Sequence, residues 1–318
     1  MRALIVTNMY PSPARPGLGA FVRDQVQALQ RTGAAEIELF TFAPGGPASY
    51  LRAAAELARG HRSPRRGRRA APYDVVHAHY GLTAWPALAV PARVHAVTLH
   101  GTDLAHPRSR LITLGATRRL DLVAAVSAPL AETVPARAHR GPVAVLPIGV
   151  DLHRNRRLDR REARRALGLP ADRPCLLFPA DPSRPEKRFD RARELAGEIP
   201  LLTLRDVDPG QVALWINAAN AVLVPSEREG FGLATLEALA CDVPVLATPV
   251  GVAPAALQAI PGALCAPYDR ERWSAALAPH LTDPDPRIAG RPRAERWSSD
   301  VMAGRVIAAW RAALDDAS

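Results

Sequence analysis

The sequence predicts an α/β protein built from two doubly wound, Rossmann-like domains. Three observations carry that expectation. Short apolar runs alternate with helical patterns in both halves of the chain. The runs are apolar throughout, as in parallel strands covered on both faces by helices. One segment, Pro225 to Gly251 (PSEREGFGLATLEALACDVPVLATPVG), follows a buried-strand pattern at Ala221 to Val224 and reads as glycine-bearing turn, helix and next strand.

In the first half, strands are expected at 3–7, 37–42, 75–78, 96–99, 122–126 and 143–146. Helices are expected at 21–30, 50–59, 83–90, 110–119 and 129–136. The stretch from Ile148 to Arg173 reads as a domain junction around an Arg/Asp-rich helix, 160–167, ended by Gly168 and Pro170. In the second half, strands are expected at 175–179, 201–204, 221–224, 243–247 and 263–265. Helices are expected at 188–196, 209–217, 233–240, 270–280 and 298–314. The last helix is amphipathic, with Val301, Val306, Ile307, Trp310 and Leu314 on one face. The expected domains are 1–150 and 151–297, with a cleft between them and a final helix, 298–318, crossing back to the first domain.

Composition narrows the function classes. The 318 residues, 48% of them apolar, suffice for two sizeable cores. No apolar run approaches the roughly 20 residues that span a bilayer. The N-terminus, MRALIVTNMYP, reads as a first strand and not as a secretory signal. Cys175, Cys241 and Cys265 have no metal or redox spacing and are expected to be buried thiols in a reducing cytoplasm. The formal charge of +10 comes from 40 arginines and one lysine, Lys187. Most of the arginines are expected to be solvated surface. A lone lysine amid such arginine enrichment points to a need for a compact ammonium. Arginines concentrate at Arg62, Arg65, Arg66, Arg68 and Arg69, and again from Arg154 to Arg165. The first group suits an anionic membrane surface carrying a lipid-linked acceptor. Aromatics make up 5% and do not interleave with the arginines, which argues against nucleic-acid binding.

Four places carry chemistry. Glu229, Gly230, Phe231, Gly232 and Glu237 form a strand–turn–helix element. Its glycines permit close backbone approach, and its helix start offers N–H groups to a diphosphate. Glu229 is suited to sugar hydroxyls, and Glu237 to the vicinal hydroxyls of a ribose. Second, Arg184, Lys187 and Arg188 follow another strand of the same domain, where cations would neutralise a diphosphate leaving group. Third, His100-Gly101-Thr102-Asp103 follows a first-domain strand, with His100 suited to hydrogen-bond a transferring sugar. Fourth, Gly17 and Gly19 lie in a glycine loop facing acceptor or phosphate. The loop fails the dinucleotide fingerprint because Val22 stands at the third glycine position. The triplets Asp206–Asp208 and Asp283–Asp285 lack further ligand candidates, so no metal site is expected.

Together these segments resemble the retaining, GT-B-fold glycosyltransferases of the glycogen-synthase-like superfamily, the bacterial "group 1" transferases. PSEREGFGLATLEALACDVPVLATPVG resembles their Glu-x7-Glu region, and FPADPSRPEKRFD their donor-phosphate loop. HAHYGLTAWPAL, VTLHGTDL, VSAPLAETV and VLPIGVDL match N-terminal landmarks in order. The resemblance implies an acceptor-binding first domain and a nucleotide-sugar-binding second domain, with no metal or other cofactor required. It implies diphosphate binding by Lys187 with Arg184 or Arg188. Glu229 would meet donor-sugar hydroxyls, Glu237 the ribose, His100 the sugar, and Gly19 the phosphates. A glycan or lipid-linked acceptor is the expected partner. The cysteines point to a cytoplasmic protein, and the Arg62–Arg69 cluster is expected to place it on the inner face of the plasma membrane. The competing readings are a scaffold with a decayed site and a nucleotide-sugar epimerase. The chain departs from the family pattern in three respects. Pro182-Ser183 replaces a glycine-arginine pair, the span from Lys187 to Glu229 is short by about one βα unit, and Ala255 stands where an acid often follows the glycine-proline element, here Gly251-Val252-Ala253-Pro254.

Overall fold

The computed structural model describes residues 1–62, 73–205 and 207–317. The chain divides into two compact units, Met1–Ile148 together with Asp300–Ser318, and Gly149–Ser299.

The first unit holds six strands in one parallel sheet: β1 (Arg2–Thr7), β2 (Glu36–Thr41), β3 (Tyr73–His79), β4 (Ala92–Leu99), β5 (Leu122–Ala125) and β6 (Ala144–Val145). Their order is β2-β1-β3-β4-β5-β6. Connections leave β1 in opposite directions, so the strand order reverses between β1 and β3. In open α/β sheets ligands bind outside the carboxyl ends of the strands at such a reversal. The helices are α1 (Ala20–Arg31), α2 (Pro47–Arg62), α3 (Ala84–Ala87), α4 (Thr102–Ala105), α5 (Pro107–Thr117) and α6 (Ala128–Glu132). Two cores form, one on each face of the sheet. One joins Ile5, Val75 and Ala96 to Val22, Val26 and Leu29 of α1 and to Met302, Val306 and Trp310 near the C-terminus. The other joins Val6, Val76 and Val97 to Ala84, Ala87 and Ala116.

The second unit contains α7 (Arg160–Ala166), β7 (Leu176–Phe178), α8 (Phe189–Ala196), β8 (Leu201–Thr203), α9 (Val212–Ala218) and β9 (Ala221–Val224). It continues with α10 (Leu233–Ala240), β10 (Val245–Ala247), α11 (Ala253–Leu257), β11 (Leu264–Cys265), α12 (Arg270–Thr282) and α13 (Arg291–Ala294). Its parallel sheet runs β11-β10-β9-β7-β8, so its order reverses between β7 and β9. Asp159 caps α7 by accepting from the Glu162 N–H at 2.9 Å, and Asp269 caps α12 by accepting from Arg272 at 2.8 Å. The last helix, α14 (Ser299–Asp316), buries Met302, Val306, Ile307 and Trp310. Burial of each such side chain contributes about 1.5–3 kcal/mol.

Several expectations need correction. The helix expected at 83–90 is a 3₁₀ turn, Gly81–Thr83, followed by the single turn of α3. The helix expected at 129–136 stops at Glu132, because a proline at 135 disfavours helical backbone just before it. The short helices α4, α11 and α13 were not expected. Val301 is 39% exposed and lies off the apolar face of α14. Cys175 and Cys241 are buried, but Cys265 is only half-buried. Arg160 and Arg164, expected at the surface, are each 2% exposed. They donate to the carbonyl oxygens of Asn217, Pro286, Ala218 and Ala171, so backbone acceptors meet the buried guanidiniums. Of the first arginine group, all but the backbone of Arg62 falls outside the described residues, and so does Asp206.

Candidate active site

Because β7 and β9 are adjacent and parallel, the loops that follow them emerge side by side at the reversal of strand order. The loop after β7 carries Arg184, Lys187 and Arg188; the loop after β9 carries Glu229. Backbone pairing joins the two loops, with the Glu227 N–H donating to the Glu186 carbonyl at 2.9 Å. The Lys187 ammonium donates to both carboxylate oxygens of Glu229, at 2.8 and 2.6 Å. Ser226 Oγ donates to the same carboxylate at 2.7 Å. The Lys187 and Glu229 side chains are 16% and 9% exposed. In such a setting an ion pair is screened much less than at the surface.

The neighbouring arginines also have partners. Arg184 is half exposed and pairs with Glu186 at 2.6 Å. Arg188 adopts left-handed backbone geometry at φ 55° and pairs with Asp190 and Glu227. The Arg188 guanidinium holds the Asp190 carboxyl below its usual range.

The turn after Glu229 is tightly constrained. Gly232 heads α10 at φ 92°. A Cβ on Gly251, whose φ is 59°, would overlap the Phe231 carbonyl oxygen. That carbonyl accepts from the Val252 N–H at 2.7 Å. Glycine is required at 251 by both its φ and the approach of this turn. Phe231 is buried and Gly230 is half-buried, as is Glu237 on α10. Thus Lys187, Glu229 and the start of α10 share one end of the second sheet.

The first unit gathers a separate set at the carboxyl ends of β1, β3 and β4. A Cβ on Gly19, at φ 64°, would overlap the Met9 carbonyl, so the fold itself demands glycine there. Gly17 has no neighbour within 4 Å of such an atom. Asp103 is fully buried, and its carboxylate accepts from the backbone N–H groups of Gly81 at 3.2 Å, His100 at 3.0 Å and Gly101 at 2.8 Å. Burial raises its pKa, and the three N–H groups oppose that rise. With its carboxylate so engaged, Asp103 clamps the loops after β3 and β4.

His100 lies at the end of β4 with its ring 4.8 Å from that of Phe21. Its Nε2 is 3.1 Å from Nδ1 of His79, and its Nδ1 is buried with no hydrogen-bond partner among the described residues. His79, His77, Gln25 and Tyr80 at this site escaped the sequence reading. The His-x-His alternation at 77 and 79 was the available signal for two of them. Tyr80 has φ 81°, a geometry unusual for a tyrosine. It is held there by its N–H on the Thr98 carbonyl and by two hydrogen bonds from Thr83 to its own carbonyl. Among the described residues, no group of three or more His, Cys, Asp or Glu side chains is arranged to hold a metal ion.

Comparison with known proteins bears on both units. The family described as "Glycosyl transferases group 1" matches residues 161–298, and "Glycosyltransferase Family 4" matches residues 16–154. The D-inositol 3-phosphate glycosyltransferase of Mycolicibacterium paratuberculosis is 32% identical, over 76% of this chain and 67% of its own. That of Actinosynnema mirum is 29% identical, over 99% of this chain and 98% of its own. Among solved structures, the sucrose-phosphate synthase of Thermosynechococcus elongatus superimposes with a TM-score of 0.71 at 20% identity, covering 100% of both chains. Anabaena HepE in complex with UDP and glucose gives 0.70 at 15% identity, covering 96% of this chain and 98% of that one. At such identities the structural likeness establishes the fold, GT-B.

Proposed function

This chain belongs to the group 1 and family 4 glycosyltransferases, and from that premise we propose that it transfers a sugar from a nucleoside-diphosphate sugar to a hydroxyl acceptor with retention of anomeric configuration. The observation that carries this reading is the Lys187–Glu229 pair at the β7/β9 reversal. A compact ammonium and a carboxylate there match the two faces of a sugar diphosphate, one anionic and one rich in hydroxyl donors. When donor enters, Lys187 exchanges Glu229 for a diphosphate oxygen, and Glu229 accepts from sugar hydroxyls. Gly230, Phe231 and Gly232 let the backbone approach, and the start of α10 adds N–H groups to the phosphates. Glu237 takes the ribose hydroxyls, and Arg184 or Arg188 adds charge once released from its carboxylate partner. The crystal of Anabaena HepE with UDP-glucose supports a donor of this class for the fold.

The transfer balances without a covalent enzyme intermediate. The acceptor oxygen bonds to the anomeric carbon on the face from which the diphosphate leaves. The bond to the leaving oxygen breaks, and that phosphate oxygen takes the acceptor proton. The protein acts through positioning and through charge stabilisation of the leaving group. The acceptor belongs to the first unit, beside His100 and the Gly17–Gly19 loop. Its class is a cell-envelope glycan or glycolipid, which the arginines from Arg62 to Arg69 would meet at an anionic membrane surface on the cytoplasmic side. The names of the curated relatives add D-inositol 3-phosphate as an acceptor to be tried.

The test is a panel of radiolabelled UDP-, GDP- and ADP-sugars, with and without D-inositol 3-phosphate or envelope lipid extract. Nucleotide release that depends on an acceptor is the expected outcome; release without one favours a hydrolase, and a changed sugar with no net nucleotide release favours an epimerase. Failure of UDP, GDP and ADP alike to shift the melting temperature favours a scaffold with a decayed site.

A further inference from the structure

The first unit contains a chain of imidazoles whose proton positions follow from their partners. Trp310 Nε1 donates to His77 Nδ1 at 2.9 Å. An indole nitrogen is a donor only, so the His77 proton sits on Nε2, where it meets Thr98 Oγ1 at 2.8 Å. The His79 ring stacks on that of His77, 5.0 Å away and within 5° of parallel. On its far side, the Gln25 amide nitrogen lies 3.1 Å from His79 Nε2. An amide nitrogen likewise only donates, so His79 Nε2 accepts and the proton of His79 is on Nδ1. That proton meets His100 Nε2 at 3.1 Å, which must accept in turn. The remaining proton of His100 is therefore on Nδ1, the atom with no hydrogen-bond partner among the described residues. Burial, first of all, keeps all three rings neutral. Each accordingly carries one proton, and the tautomers are linked.

We infer that Gln25 and His79 are positioning residues that fix His100 as the Nδ1–H tautomer, so that His100 meets the ligand as a neutral hydrogen-bond donor and not as a base. Which ring nitrogen is protonated is set by the hydrogen bond the other one makes. Here that control passes through two successive side chains, from α1 to the end of β3 to the end of β4. A donor on His100 suits an oxygen of the sugar or of a phosphate. It also leaves the acceptor proton to the departing phosphate oxygen, because His100 Nδ1 has no lone pair to receive it. The ligand's identity rests on the glycosyl-transfer reading; the tautomer does not.

The test is two-bond ¹⁵N–¹H correlation NMR on the intact, ¹⁵N-histidine-labelled protein without substrate. Histidine-to-glutamine variants assign the resonances. The expected spectrum has His77 protonated on Nε2, and His79 and His100 on Nδ1, against the Nε2–H form that a free histidine favours. A wild-type spectrum with His100 protonated on Nε2 overturns the inference, since it means Gln25 accepts and the chain runs in reverse. In Gln25→Glu the carboxylate accepts from His79 Nε2, and both His79 and His100 are expected to switch to Nε2–H. In His79→Phe, which keeps a ring in the stack, His100 is expected to revert to Nε2–H. Retention of Nδ1–H on His100 in either folded variant assigns the tautomer to another cause and overturns the roles of Gln25 and His79. If glycosyl transfer is observed, Gln25→Glu should lower kcat/KM about 10²- to 10³-fold, the scale of one donor lost to the transition state. An unchanged kcat/KM with a switched tautomer overturns the donor role of His100. Absence of any transfer activity bears on the proposed function and leaves the NMR result intact.

Discussion

The ammonium of Lys187 and the carboxylate of Glu229 meet bidentately across 42 positions of sequence, at 2.8 and 2.6 Å. Both side chains are mostly shielded from water, and Ser226 adds a third hydrogen bond to the same carboxylate. The pair brings the cation of one loop and the acid of the next to a single point beside the N-terminus of α10. It follows that each holds the other in place until a ligand offers both a better partner.

Lys187→Ala is expected to lower turnover of the preferred nucleotide-sugar by about 10²–10³, the scale for removing one preorganised charge-stabilising donor. Lys187→Arg should recover little, because a planar guanidinium fork does not replace a compact ammonium at this carboxylate. Steady-state kcat with saturating donor is the measurement. Near-normal turnover in the alanine variant would remove Lys187 from the proposed chemistry.

Gly251→Ala should disturb the Glu229–Gly232 turn from outside it. The added Cβ collides with the Phe231 carbonyl and lies 2.9 Å from Glu229 Cβ. A left-handed backbone at a non-glycine residue costs on the order of 1–3 kcal/mol, and relief of the collision moves Glu229. Chemical denaturation should show a loss of at least that size, and a thermal-shift titration should show weaker nucleotide binding. A variant with wild-type stability and binding would contradict the geometry.

Trp310→Phe keeps the aromatic bulk but removes the N–H that reaches His77 Nδ1 at 2.9 Å. Trp310 and His77 are both fully buried, so the imidazole nitrogen is left without a donor. The expected loss is about 1–3 kcal/mol, the cost of an unsatisfied buried polar group. Urea unfolding followed by circular dichroism measures it, and a change below a few tenths of a kcal/mol would show that the hydrogen bond carries no weight.

Acid should destabilise the protein through the same histidines. Burial lowers the pKa of His79 from 6.5 to about 4, and those of His77 and His100 well below 6.5. A depressed histidine pKa means that the unfolded chain takes up protons before the native one does. Stability is therefore full above about pH 6.5 and falls as pH drops towards 4. His79 alone accounts for roughly 3 kcal/mol of that loss. Urea unfolding at pH 7 and pH 4.5 should show a smaller difference in His79→Phe than in the wild type. Identical differences in the two proteins would mean that His79 is not held neutral by the fold.

The sequence by itself determined the two parallel sheets, the alternation of nearly every strand and helix, and the motifs at their carboxyl ends. Hydrophobic periodicity and turn residues are local properties, so Ala221–Val224 and Leu233–Ala240 could be delimited to the residue. The lone Lys187 and the paired glutamates were equally visible as residue types in a strand–turn–helix context. Only the tertiary structure decided which side chains meet. It gave Lys187 to Glu229, because β7 and β9 are neighbours in the sheet though not in sequence. It turned Asp103 inward onto three backbone N–H groups, and it buried Arg160 and Arg164 against interior carbonyls. It also linked Gln25, His79 and His100 from three separate elements. Hydrogen-bond partnership is a property of positions within about 3 Å in space, and no periodicity along the chain encodes it.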